Sequence, residues 1–175
     1  MSKYRKMLND WEAPYLQAII KQVETQSKST LAHWVAEYAE SMMLPIWEKH
    51  YPEDPRPRNA VAAARQWLAG EIKLPQAKAL ILECHSAARE AEGTPAACAA
   101  ARAVGQSASV IHSARHCIGL PLYGALAAAY DALGPDAPWA DLSQYAAGEC
   151  ERMLQALKDR SVEHEPDPVR IDWKC

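Results

Sequence analysis

The stretch LAHWVAEYAESMMLPIW, residues 31–47, decides the fold class. From Leu31 to Trp47 its apolar residues recur every three or four positions, which is the period of a helix with one buried face. Pro45 lacks a backbone N–H, and this predicts a kink or a break near residues 41–42. We therefore predict a long amphipathic helix that is distorted one turn before Pro45.

The same spacing continues through most of the chain, and no useful stretch alternates with the period of two that marks a strand. The sequence therefore predicts an all-α fold, a compact single-domain bundle over residues 1–175. We expect an extended C-terminal tail over residues 162–175, because Pro166 and Pro168 interrupt helical structure there. About seven helices are predicted, over residues 11–25, 31–47, 57–70, 75–93, 96–107 (or as far as 117), 122–133 and 139–160.

Alanine is concentrated between Ala87 and Ala132, whereas the chain has no Phe and carries its aromatic bulk as 6 Trp and 7 Tyr. Small side chains allow helix axes to approach closely. We therefore expect the alanine-rich fourth to sixth helices to lie at the centre of the bundle, with the aromatic-rich first two helices supplying the bulk around them.

Charge and cysteine usage exclude several classes of protein. The chain has 19 Lys and Arg against 22 Asp and Glu, so it lacks the basic surplus of a generic nucleic-acid binder. Its five cysteines are odd in number and none forms a C-x-x-C motif, which favours reduced thiols. The N-terminal residues show no apolar signal segment, and the longest apolar stretch, residues 118–130, is too short to span a bilayer. We expect a cytoplasmic protein that binds neither nucleic acid nor membrane.

One histidine pair could carry chemistry. His112 and His116 are four residues apart and would share a helix face, a spacing that can chelate a metal with a third ligand such as His85, Cys84 or Cys117. The alternative is a pair of polar residues at a helix interface. The H-E-x-x-H motif, a nucleophile elbow and a glycine-rich phosphate loop are all missing. The sequence therefore predicts no enzyme, no cofactor and no metal, and a metal-binding protein or enzyme using His112 and His116 stays an alternative.

The loop YPEDPRPR, residues 51–58, is held stiff by three prolines. It offers one acceptor, Asp54, and two forked donors, Arg56 and Arg58, to a binding partner, and its stiffness lowers the ordering cost of recognition. The alternative is a structural role, in which Asp54 caps the next helix while an arginine pairs with a carboxylate on a neighbouring helix.

Several motifs together resemble the alanine-rich, all-helical immunity proteins of bacterial polymorphic toxin systems. The resemblance covers about Leu44 to Cys175 and leaves residues 1–43 uncovered. It is carried by LPIWEK and YPEDPRPR at 44–58, AVAAAR at 60–65 with Gly70, the two histidines, LGPDAPW at 133–139, ECERM at 149–153 and RIDWKC at 170–175.

This resemblance implies that the protein binds a cognate toxin and neutralises it by occlusion, without catalysis. It carries over no contact residues. Buried Trp, Tyr and Arg anchors dominate most protein interfaces, so the candidate partner-binding residues are Asp54, Arg56, Arg58, Trp139 and Trp173. Each has a structural alternative, and we expect Trp139, which begins a helix, to pack into the core. A regulatory scaffold that binds another protein is a further alternative, and the oligomeric state stays open.

Overall fold

The computed structural model describes residues 4–174. Within them the chain forms eight α-helices and no strand. The helices are α1 (Pro14–Val23), α2 (Lys28–Tyr38), α3 (Leu44–His50), α4 (Arg56–Leu68), α5 (Leu74–Glu90), α6 (Pro95–Ser109), α7 (Ala125–Leu133) and α8 (Trp139–Arg160).

Two π-helical segments and one 3₁₀ segment complete the helical structure. A π-helical segment over Ala39–Met43 joins α2 to α3, and another over Leu120–Gly124 leads into α7. A 3₁₀ segment occupies Ala114–Ile118. When α2, the first π-helical segment and α3 are counted as one continuous helix, the described residues form seven helices, as the sequence predicts. The all-α fold is confirmed.

The distortion predicted before Pro45 takes the form of the first π-helical segment. The backbone N–H of Leu44 donates to the carbonyl of Ala39, five residues earlier, instead of to the carbonyl four residues earlier. Pro45 itself has no N–H to give, so the helix widens by one residue and continues as α3. The rod therefore bends without ending, and it carries Trp34 and Trp47 into the core at its two ends.

Helix α6 lies at the centre of the bundle, as the alanine pattern predicts. It packs against α2, α3, α4, α5 and α7, and nearly all of its side chains are buried. Alanine at most of these positions lets the surrounding axes come close. The helices around α6 supply the large side chains of the core, above all Trp34 on α2. The indole N–H of Trp34 donates to the carbonyl of Met153 on α8 at 3.1 Å.

The C-terminal tail, here residues 161–174, is extended and returns along the outside of the bundle. Its Val169, Ile171 and Trp173 pack against the core. Buried Gln26, in the turn between α1 and α2, binds the tail through its side-chain carbonyl, which accepts the N–H of Val162 at 2.8 Å. Cys175, at the end of the predicted tail, lies outside the described residues.

Among residues 4–174, no helix is both long enough and apolar enough to cross a lipid bilayer.

Candidate partner-binding sites

The loop before α4 is tied to the rest of the protein by its own charges. Asp54 accepts the backbone N–H of Arg56 at 3.1 Å and a second bond from the Arg56 Nη2 at 2.7 Å. The same guanidinium pairs with Glu90 on α5 at 2.7 Å, and hydrogen bonding from Arg56 lowers the pKa of Asp54 below its ordinary value. The contacts of Asp54 and Arg56 are therefore those of the structural alternative. They connect the loop and the start of α4 to the end of α5.

Arg58 and Trp139 are more available to a partner. Arg58 is exposed and its Nε donates to Glu48 at 2.7 Å. Trp139 is 37% exposed, and the guanidinium of Arg5 lies 3.9 Å from the centre of its ring. The expectation that Trp139 packs into the core is wrong, because α8 begins at the surface and its first residue faces the N-terminal segment.

A chain of contacts connects the loop at residues 51–58 to Trp139, at the start of α8. Next to Arg5, which covers Trp139, Lys6 pairs with Glu92 in the turn between α5 and α6 at 3.1 Å. In the same turn, the hydroxyls of Thr94 and Tyr51 are hydrogen-bonded at 3.0 Å, and Tyr51 begins the loop that holds Asp54. These contacts link Trp139 to Tyr51, the first residue of the loop that carries Asp54, Arg56 and Arg58.

Trp173 lies elsewhere, on the C-terminal tail against α1. Its indole N–H donates to Glu24 at 2.8 Å, and its ring lines a groove with Trp11 and Ile20. Nearer the start of the tail, Glu165 binds the turn before α2. It accepts hydrogen bonds from the backbone N–H of Ser27 at 2.7 Å and from the hydroxyls of Ser27 and Thr30. Trp173 therefore holds the tail in place as well as presenting part of its ring.

His112 and His116 meet, although not on one helix. Helix α6 ends at Ser109, so His112 lies in a turn and His116 in the 3₁₀ segment. The two rings still lie edge to face, with their centres 5.1 Å apart. Within residues 4–174, no group of three or more His, Cys, Asp or Glu side chains is placed to hold a metal ion.

A groove that no sequence pattern indicates lies beside the first π-helical segment. The groove has a volume of about 540 Å³ and runs between that segment, α3, α7 and α8. Met42, which is 40% exposed, lies in the π-helical segment and lines the groove. Its lining combines apolar and charged side chains, among them Met42, Ile46, Lys49, Asp131, Tyr145 and Arg152.

A buried carboxylate forms the floor of this groove. Glu149 on α8 is only 1% exposed; it accepts the hydroxyl of Tyr38 at 2.6 Å and the Nε of Arg152 at 2.8 Å. Burial and the bond to Glu149 raise the pKa of Tyr38, which stays protonated. Tyr38 is therefore a hydrogen-bond donor to Glu149 at neutral pH. The cluster fixes the exposed guanidinium of Arg152 at the groove, where it could meet a partner's acceptor.

The fold and these surfaces define the class: an all-helical protein with shallow surface grooves and paired surface charges. The family model described as "Imm-5 like putative immunity protein" matches residues 21–159, which run from within α1 almost to the end of α8. The chain belongs to this family. The match begins earlier than the motifs indicated, since it includes α2, and it ends before the tail. Comparisons with curated proteins and with solved structures gave no match.

Proposed function

We propose that the protein binds a cognate toxin of a bacterial polymorphic toxin system and neutralises it by occlusion, without catalysing a reaction. Family membership over residues 21–159 is the observation that carries this proposal. An occluding protein needs a rigid surface more than a reactive site, because a preorganised surface loses little entropy on binding. A packed α6 and the stiff, ion-paired loop before α4 supply that rigidity.

The contact residues stay a proposal, and we propose two roles for them. Arg58, Trp139 and Trp173 are proposed to touch the toxin, since each keeps part of its side chain at the surface. Asp54 and Arg56 are proposed to act by holding the loop, because their hydrogen-bonding groups are engaged within the chain.

The proposed compartment is the cytoplasm, where thiols stay reduced. Four described cysteines are free and buried (Cys84, Cys98, Cys117 and Cys150).

The test is co-expression with the toxin domain encoded beside the gene. We expect the protein to restore growth of cells that produce the toxin domain and to elute with it as one complex in gel filtration. An Arg58→Ala/Trp139→Ala variant with unchanged circular dichroism should lose part of the affinity. Absence of both rescue and complex would contradict the proposal, and a complex with a different neighbouring protein would favour the regulatory scaffold.

A further inference from the structure

A second surface, on the side of α5 and α6, collects basic residues that the proposed function does not use. We call it the basic face. Five cations surround three histidines there, and the cations come from α2, α5, α6 and the 3₁₀ segment. The members are Lys28, Lys78, Arg89, Arg102 and Arg115, with His85, His112 and His116.

The histidines are fixed on α6 by close packing. His85 lies directly over Gly105, so closely that a Cβ at this glycine would come within 2.6 Å of the ring. His116 is held by Gln106, with 2.8 Å between its Nδ1 and the Gln106 Oε1. His112 rests edge to face against His116. His85 and the His112–His116 pair therefore lie against adjacent residues of α6, Gly105 and Gln106, in the middle of the basic face.

At neutral pH these histidines are uncharged. Burial lowers the pKa of each, and nearby positive charges lower it further: Arg89 and Arg102 act on His85, and Lys78 and Lys28 act on His112. No carboxylate contributes to the three shifts. The electrostatic potential around the cluster is thus set by cations.

Most of these cations lack an acidic partner, unlike cations elsewhere on the protein. Arg102 lies 3.6 Å from Glu92, but Lys28, Lys78, Arg89 and Arg115 form no ion pair with any residue between 4 and 174. In the groove beside the π-helical segment, by contrast, Lys49 pairs with Asp131 and Arg152 with Glu149. The basic face is therefore a local positive surface on a chain whose net charge is −3.

Apolar groups accompany the positive charge. Leu82 is 65% exposed and lies between Lys78 and Arg89 on one stripe of α5, because the three residues are four and seven positions apart. Beside Lys28 opens a groove of about 320 Å³, whose lining includes Trp67 and Ile111. Trp67 is half-buried, and the Nζ of Lys28 lies 5.9 Å from the centre of its ring. Tryptophan is among the residues that most often dominate the energy of protein interfaces.

We propose that the basic face is a further docking surface for the toxin, in addition to the contacts proposed at Arg58, Trp139 and Trp173. The toxin would present to it an acidic surface with an apolar side chain that enters the groove beside Trp67. This inference rests on the proposed function. Charge complementarity carries it, since unpaired cations on a surface attract an acidic partner and speed its association. The exposed Leu82 and the uncharged histidines suit a protein surface better than a nucleic-acid backbone, whose recognition is dominated by phosphate contacts.

The test uses the full chain and the toxin domain encoded beside its gene. The variant Lys78→Glu/Arg115→Glu reverses two exposed cations that have no ion pair to lose. We expect it to weaken toxin binding about 100-fold at low salt, mainly through slower association, and to flatten the dependence of the association rate on salt. Leu82→Ala should weaken binding through faster dissociation. The matched control is Lys21→Glu/Lys158→Glu, the same change of charge on exposed positions of α1 and α8, which should stay within threefold of wild type.

The outcomes separate the two proposals. If the wild-type protein does not bind the toxin domain, the proposed function fails and this inference fails with it. If the wild type binds but Lys78→Glu/Arg115→Glu binds equally well, the proposed function stands and the basic face is not a docking surface for the toxin. Binding of a labelled 20-nucleotide DNA at 150 mM salt, lost in the same variant while toxin binding is kept, would assign the basic face to nucleic acid and overturn the inference.

Discussion

Replacing Gly119 with alanine tests the close approach between α6 and the turn that follows it. Gly119 has ordinary right-handed backbone angles, φ −62° and ψ −29°, so alanine meets no conformational obstacle. Its missing side chain is what matters: a Cβ there would lie 2.3 Å from the Cβ of Gln106 and 2.5 Å from the Cγ. Because the Gln106 Cβ is attached to the α6 backbone, no change of rotamer can remove this overlap.

The destabilisation should therefore be near the upper end of what overpacking costs. Inserting one methyl group into a packed site typically costs about 1–3 kcal/mol. Here α6 and the turn must separate by about 1 Å to restore ordinary contact distances, and α6 is packed on several sides. The reduced backbone freedom of the unfolded alanine variant offsets about 0.4–1 kcal/mol. We expect Gly119→Ala to lower the free energy of unfolding by about 2 kcal/mol, the difference between these terms, and Tm by about 4–8 °C.

Gly148→Ala is the matched control. Gly148 lies within α8, and a Cβ there would meet no atom within 4 Å. Alanine is the better helix former, so this variant should gain about 0.5–1 kcal/mol. Urea unfolding followed by far-ultraviolet circular dichroism measures both variants, and an unchanged m value would show that the change lies in stability. If Gly119→Ala stays within about 0.5 kcal/mol of wild type while Gly148→Ala gains as expected, the reasoning about this contact is refuted.

Three further predictions concern buried or anchored polar groups. Tyr38→Phe leaves one oxygen of buried Glu149 without its donor and should cost about 1–3 kcal/mol in urea unfolding; a neutral result would mean that water replaces the hydroxyl. Burial raises the pKa of Glu165, but hydrogen bonds from Thr30 and Ser27 outweigh it, so the pKa is lowered on balance. Its anchoring of the C-terminal tail should be present at neutral pH and lost as the pH falls through this lowered value. Glu165→Gln should accordingly speed hydrogen exchange of the tail at pH 7, and its difference from wild type should shrink as the pH falls through the lowered pKa; equal exchange of variant and wild type at pH 7 would contradict the anchor. Burial raises the pKa of Cys117 to about 12, so iodoacetamide at pH 7.5 should label it, by peptide mass mapping, only after unfolding.

The helices were predictable because their signals are local. The last predicted helix, residues 139–160, begins and ends where α8 does, since a proline precedes it and its apolar period is unbroken. The end of α6 was less certain from sequence. No glycine or proline follows Ser109 until Gly119, yet the helix ends at Ser109 and the chain brings Gly119 back against Gln106. Such a contact between residues distant in sequence leaves no local pattern.

The candidate sites also combine residues that local sequence identifies with contacts that it cannot predict. The stiff loop at Asp54 could be identified from its prolines. The pairing of Arg56 in this loop with Glu90 could not, because 34 residues separate the two partners. The burial of Glu149 was the hardest feature to predict from sequence, because Glu149 lies in a motif of charged residues. Its hydrogen-bond donor in the buried site is Tyr38, 111 positions away. Local sequence identified polar residues that a partner could use, whereas tertiary contacts decide which of them are already engaged.

This difference between paired and unpaired charge is what separates the candidate surfaces. An arginine such as Arg56, held by two carboxylates, gives up hydrogen bonds whenever a partner binds it, so its net contribution to affinity is small. Lys78 and Arg115 give up only water, because neither forms an ion pair with any residue between 4 and 174. The same side-chain chemistry thus stabilises the fold at one end of the bundle and favours association on the basic face.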